Sequence, residues 1–451
     1  MEGLWTIFGP ILTVVLALLT KNVIISLFFG VCYFSVGLFG LDFLNHIVEF
    51  FVAGVNSNGF ILVTLVPLGV LLAFMRAGGG FKAFAAWANK KVSSRKQVGV
   101  MVFFLSTALA FAQDLVANLA TGRILRPVIL EKKLAPEKSA FISLSAAPNI
   151  GAPIPYGTYF LFCIGMIAML VPEVAPIPFF LKSLCMSFHT WLAVLIGLLL
   201  ALEIIPDLGY MKECQKRALE AEETAAGEDA GADETLGGAD VKPDFGAFFL
   251  PIFSLVAGVA VTSLAAGELT MIPGFFIGAF VAVFYALVRK SVKPKDVGDL
   301  VVGGIMEQTP ILILLAFAFA FGAALQMAGL DRFIVTAMSG TLPPALVPVI
   351  VFLIGCLISY TTGSLGSGLV IMLPIAMPLG IATGANLLLT FAATFSGAQW
   401  GDQLSPLSDM VIENAGANSV DPVDLFRCAL PYRLIEGGIS LALFLVLGLL
   451  L

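Results

Sequence analysis

Apolar runs of close to twenty residues recur along this chain from one end to the other. At ~1.5 Å per residue, a helix of that length crosses the hydrocarbon core of a bilayer. Candidate spans fall at roughly 5–20, 22–40, 59–76, 138–170, 181–203, 247–267, 272–289, 308–328, 386–415 and 434–451. Composition supports a lipid solvent: 59% of the 451 residues are hydrophobic, 12% are charged, and the mean hydropathy is +1.01. So few polar groups cannot cover a surface in water. The expected fold is an all-α polytopic membrane protein of about ten transmembrane spans. No basic segment and cleavage site precede residue 5, so 5–20 is read as a retained span.

Two further apolar stretches, 97–130 and 345–380, carry a polar or Gly-rich middle. Each is too long for one span and short for two, so both are read as re-entrant helical hairpins. The distribution of bases bears on that reading. With Lys21 on the cytoplasmic side, all of the 24 Lys/Arg except Lys182 and Arg332 fall inside, Arg427 and Arg433 among them. Bases flank 97–130 on both sides, so its ends share one side. The pattern places both termini outside, in a prokaryotic inner membrane.

The net charge of −6 comes from residues 206–243, which hold ten acidic residues against Lys212, Lys216, Arg217 and Lys242. The core of this stretch is rich in Ala, Gly, Glu and Asp and reads as a flexible cytoplasmic linker. It divides the chain into 1–205 and 244–451. At a constant offset of 251 residues, Ala77-Gly78 meets Ala328-Gly329, Pro127 meets Pro378, Ser145 meets Ser396, and Pro155 meets Pro406. Each half has an odd number of crossings and one hairpin, which predicts two repeats of inverted topology with sites at broken helices.

Irregular backbone at membrane depth survives only where protein or a polar cavity surrounds it. Four segments have this character: the tips 111–118 and 361–368, and the interruptions 147–155 and 396–409 within the broken helices 138–170 and 386–415. An ionisable side chain there is costly and functional by default. Asp402 leads, as a group able to take a proton or a sodium ion, with helix capping as the structural alternative. Asp114 and Asp409 are the further coupling candidates. Substrate or sodium ligands are expected among Asn118, Ser145, Asn149, Gly151, Ser364, Ser367, Ser396, Gln403, Ser405 and Ser408, with turn formation as the alternative role of Asn149, Ser364, Ser367 and Ser405. The sodium site is expected near Asp402 and Ser405. Arg123 and Arg126 are read as snorkelling to the cytoplasmic surface or binding a substrate carboxylate. Trp400 is read as packing and Glu307 as an inner-boundary residue.

Six cysteines without CxxC spacing and two distant histidines, His46 and His189, point away from disulfide, zinc and triad chemistry. No phosphate loop or filter motif is present, so neither an enzyme nor a channel is expected. No cofactor beyond sodium and protons as coupling ions is called for, and no nucleic-acid partner.

The run GDQLSPLSD at 401–409 with Gly416-Ala417 resembles the second-half signature of the NhaC-type sodium/proton antiporter family. Ile371-Met372-Leu373-Pro374-Ile375-Ala376 after a Gly/Ser tip resembles it too, as does Ser145-Ala146-Ala147-Pro148 after Arg126-Pro127. The likeness covers about residues 60–165 and 355–433. It implies two hairpins, two broken helices, an elevator-like transport domain and, as in many relatives, a homodimer. It implies sodium/proton antiport by alternating access. The sequence departs from the family at Gln113, Ser143-Leu144-Ser145 and Asn149-Ile150-Gly151-Ala152-Pro153, which remove charge and bulk near the site. These departures leave room for the alternative of sodium-coupled transport or exchange of a small carboxylate or amino acid.

Overall fold

The computed structural model describes residues 4–20, 22–80, 82–83, 94–110, 114–154, 157–220, 241–266, 272–329, 342–406 and 408–451. The regular elements described are helical. They run α1 (Leu4–Thr20), α2 (Val23–Phe39), α3 (Phe43–Ala77), α4 (Arg95–Ala110), α5 (Asp114–Glu131), α6 (Pro136–Gly151), α7 (Thr158–Leu170), α8 (Pro176–Leu184), α9 (Phe188–Ala201) and α10 (Tyr210–Glu220). The second part holds α11 (Gly246–Ala266), α12 (Ile272–Val288), α13 (Val297–Glu307), α14 (Thr309–Met327), α15 (Val347–Thr362), α16 (Leu365–Thr383), α17 (Leu387–Leu404), α18 (Asp409–Asn418) and α19 (Pro422–Leu450).

Among the described residues, five helical stretches are long and apolar enough to cross a membrane: Ile24–Asn56, Gly246–Ala265, Pro344–Thr362, Leu365–Thr383 and Pro422–Leu450. Two bent pairs, α8 with α9 (48°) and Pro294–Glu307 with Leu312–Met327 (42°), raise that number to seven. The stretches differ in surroundings. Of Leu365–Thr383, 78% is buried inside the protein, against 28% of Gly246–Ala265. The first is an interior helix; the second presents most of its surface outward.

Local chemistry sets the breaks. Between α15 and α16 the chain reverses over two residues. Gly363 takes the left-handed conformation (φ 65°) that a side chain would disfavour, and Ser364 caps α16 through its hydroxyl. Asn386 caps α17, and Asp421 caps α19 ahead of Pro422. Interior helices carry hydroxyls that bond back to their own carbonyls, as Thr390 does to Asn386 and Thr394 to Thr390. Such residues sit in an apolar interior without orphaned groups.

Several sequence expectations shift. Residues 43–58 continue the helix expected at 59–76, so α3 is 35 residues long. The interruption expected at 396–409 narrows, among the described residues, to Ser405, Pro406 and Ser408, because α17 runs unbroken to Leu404. Likewise α6 continues through Pro148 to Gly151. The stretch read as a linker begins with a folded helix, α10, which buries Met211, Cys214 and Gln215; residues 221–240 lie outside the described residues.

The element starts recur along the chain. Shifted by 251 residues, the starts of α4, α5, α6 and α7 (95, 114, 136 and 158) fall on 346, 365, 387 and 409. The observed starts of α15, α16, α17 and α18 are 347, 365, 387 and 409.

Candidate functional site

The site grows from the end of α17. Asp402 is 2% exposed and lies in that helix's last turn. A helix C-terminus carries partial negative charge, so a carboxylate there is held against the dipole and favours a cation beside it. Ser405 ends the helix, its N–H bonding the Asp402 carbonyl at 3.1 Å. After the break Ser408 caps α18, accepting from the Val411 N–H, and donates its hydroxyl to Asp402 Oδ1 at 2.7 Å. One carboxylate thus joins the negative end of α17 to the positive end of α18. Ser405 and Ser408 are both buried.

Asp402 lies at the end of α17, and the residue that caps α18 is Ser408. Asp409 does not join this buried group; it is exposed in the first turn of α18, where its charge suits the helix end. Its N–H reaches the Gly363 carbonyl at 3.4 Å, tying the second hairpin tip to the break. At that tip Ser364 Oγ accepts from the Ser367 N–H at 3.4 Å. Ser396 is buried one and a half turns back on α17, its hydroxyl without a hydrogen-bond partner among the described residues.

The first half meets this site through amides. Asn149 and Gln403 exchange two hydrogen bonds, at 3.2 and 3.0 Å, both side chains buried. Asn149 also donates to the Ser145 carbonyl at 3.0 Å. Gln399 donates to the Pro148 carbonyl at 3.3 Å and accepts from Thr190 at 2.5 Å. Gly151 is buried at the end of α6, its carbonyl accepting from the Ile154 N–H. Asp114 and Asn118 lie on α5, but their side chains fall outside the described residues. Arg126 is exposed and donates to Ser419 Oγ.

Sequence reasoning missed one group. Arg433, counted among the surface bases, is fully buried on α19 and paired with buried Glu436 at 2.8 Å. His189 lies beside them. Both Arg433 and Glu436 begin an otherwise apolar span, and a carboxylate within such a run was the available signal. Trp400 packs as expected: it stacks on Phe352 and donates to the Arg433 carbonyl at 2.7 Å. Glu307 ends α13 in an ion pair with Arg76.

A break that presents a buried carboxylate, hydroxyls and a helix C-terminus can bind a small cation or a proton. Among the described residues no three His, Cys, Asp or Glu side chains form a metal-binding cluster. A sequence model of the Na+/H+ antiporter family matches residues 150–449. An uncharacterised protein of Haemophilus influenzae is 27% identical over 470 aligned positions, covering 96% of this chain and 88% of its own. The arginine/ornithine antiporter ArcD of Halobacterium salinarum is 32% identical over 215 positions, covering 46% of this chain and 43% of its own.

Proposed function

Because the chain belongs to the Na+/H+ antiporter family, we propose that this multi-pass membrane transporter exchanges sodium for protons by alternating access, with Asp402 as the ion-binding carboxylate. The observation that carries the reading is the buried Asp402–Ser408 contact across the break between α17 and α18. In this reading Ser405 and Ser408 supply further oxygens, and sodium and proton compete for one carboxylate.

The same reading makes the two halves inverted repeats, with about ten spans. The matched element starts support it, and so do contacts that swap between halves: α2 packs on α14 while α12 packs on α3, and α9 packs on α17 while α19 packs on α6. The buried hairpins and broken helices form the mobile body of an elevator. The bases face the cytoplasm, both termini lie outside, and the protein works as a homodimer.

A second reading is exchange of an amino acid or small carboxylate. It is favoured by the similarity to ArcD and by the neutral Asn149–Gln403 pair within the site. Flux into proteoliposomes separates the two. A sodium gradient imposed with an internal pH dye and no organic solute should drive proton movement in wild type, and none in Asp402→Asn. Proton movement that survives Asp402→Asn removes the ion-binding assignment. A silent wild type with uptake dependent on an amino acid selects the second reading.

A further inference from the structure

Sequence spacing pairs none of the six cysteines, and all six are free thiols. The fold nevertheless brings two of them together across 214 residues of chain: Cys214 on α10 and Cys428 on α19 are both buried, with their sulfurs 3.5 Å apart. A disulfide holds its sulfurs about 2.05 Å apart, so a closure of about 1.5 Å joins the two.

Cys214 is the more approachable partner. Arg217 Nη2 donates to its sulfur at 3.0 Å, and the Arg217 side chain is 59% exposed, so a movable side chain stands between this thiol and water. Burial pushes the Cys214 thiol above its usual range, and the Arg217 guanidinium works against that rise. The thiol therefore stays protonated at rest, and the fraction that ionises does so beside a cation.

Helix α10 packs on both α6 and α19 and grips each of them. Toward α6, Gln215 accepts from the Ala135 N–H at 3.2 Å and donates to the Lys133 carbonyl at 2.8 Å, while Arg217 faces Glu137 at 3.7 Å. Toward α19, Cys214 meets Cys428, and the Arg427 guanidinium lies over the Tyr210 ring. Just before α10, the Leu208 N–H donates to Tyr432 Oη at 2.8 Å. Helix α6 carries Ser145 and Asn149 and belongs to the hairpins and broken helices; α19 does not. The grip on α19 is the part of this strap that can become covalent.

We propose that Cys214 and Cys428 are a peroxide-sensitive modification site, whose disulfide clamps α10 to α19 and slows transport. This rests on the alternating-access reading above, in which α6 moves with the ion site and the bases of α10 face the cytoplasm, where thiols are kept reduced. The Cys214 thiolate attacks one oxygen of hydrogen peroxide. The O–O bond breaks, and the leaving hydroxide takes up the proton that Cys214 gave, as water. The Cys428 sulfur then attacks the sulfenic sulfur of Cys214. The S–S bond forms, the S–O bond breaks, and the departing hydroxide leaves as water with the Cys428 proton. Two thiols together lose two electrons, and the peroxide is reduced to two waters. Exchange with a dithiol restores both thiols.

The test treats the purified full chain with hydrogen peroxide, maps disulfide-linked peptides by mass spectrometry, and measures flux in proteoliposomes. Wild type should gain a peptide pair joining Cys214 to Cys428 and melt at a higher temperature, both reversed by dithiothreitol. Whichever flux wild type shows, of sodium-driven protons or of an amino acid, should fall on oxidation and return on reduction. Cys214→Ser and Cys428→Ala break the pair from either side, so a folding failure of one leaves the other. Both should form no such link and keep their flux under peroxide; in Cys428→Ala the sulfenic acid stays on Cys214, where dimedone traps it. No linked pair in wild type, a linked protein with undiminished flux, or an equal loss of flux in the variants overturns the proposal. A wild type without flux before treatment removes the transport readings above instead. The link and its melting shift then decide the site, and a link that leaves melting unchanged overturns it.

Discussion

At the level of single residues, the Asn149–Gln403 pair joins the two halves at the site with two neutral hydrogen bonds in a buried place. Its energetics follow from satisfaction rather than strength. Asn149→Leu leaves the Gln403 amide buried without its partner, at a cost of about 1–3 kcal/mol. Asn149→Leu combined with Gln403→Leu leaves neither amide and should melt closer to wild type than either single variant does. Thermal melting of the three proteins checks this; additive losses would mean that the two amides do not depend on each other. Asp402, Asn149, Gln403 and Ser408 were legible as candidates because polar residues stand out in apolar runs. Which of them touch was not legible, since Ser408 and Asp402 meet only after the chain has left one helix and begun another. Arg433 was misread for a related reason. A base at the edge of an apolar run looks like a surface anchor until its carboxylate partner, one turn further in, is seen to be buried with it.

Among helices, α15 and α17 cross backbone against backbone. Gly397 and Gly401, four residues apart, present one face of α17 without side chains. A Cβ added at Gly397 would lie 2.2 Å from the Phe352 carbonyl oxygen, and one at Gly401 would lie 2.1 Å from that of Cys356. Small residues at this spacing let two backbones touch, and apolar packing then holds the pair. Gly401→Val must push α15 away from the helix that carries Asp402, at a cost of about 1–3 kcal/mol. Gly438→Ala is the control: nothing lies within 4 Å of its added carbon, and loss of glycine's chain freedom should raise stability by about 0.4–1 kcal/mol. Equal melting of both variants and wild type would remove the crossing as a determinant. The sequence marked 396–409 as irregular because glycines and polar groups suggest a broken helix. The glycines serve this packing, and Gln399, Asp402 and Gln403 find partners on neighbouring elements while the helix stays continuous. Among the described residues of this stretch Ser405, Pro406 and Ser408 remain non-helical, and Pro406 removes an N–H.

Across the whole molecule, long helices meet backbone to backbone, and their ends are tied by charge. Gly69 on α3 and Gly304 on α13 face each other so closely that a Cβ on either would strike the other's carbonyl oxygen, at 2.3 and 2.4 Å. Gly54 on α3 abuts Phe319 on α14 in the same way. Shifted by 251 residues, the first contact falls within one residue of the second. The helix ends are braced by Arg76–Glu307, Arg95–Glu203, Lys138–Asp207, Arg217–Glu137 and Arg289–Asp244. Two of these pairs give a pH dependence with a definite sign. The Arg95 guanidinium holds the Glu203 carboxyl below its usual range. Burial pushes the Asp244 carboxyl upward, but hydrogen bonds from the Gly246 N–H, Arg289 and Tyr285 outweigh it and leave it lowered. Groups lowered on folding stabilise the protein fully above their unfolded pKa values, about 4.3 for Glu and 3.9 for Asp, and lose that contribution as pH falls through the folded values. Melting measured from neutral pH down to about pH 3 should therefore drop less steeply in Glu203→Gln/Asp244→Asn than in wild type. At neutral pH the double variant should be slightly less stable, because both pairs are partly open to water and screened by it. Buried carboxylates elsewhere contribute equally to both proteins, so the difference between the two curves isolates these pairs. Parallel curves in acid would mean that the helix ends are held by packing alone.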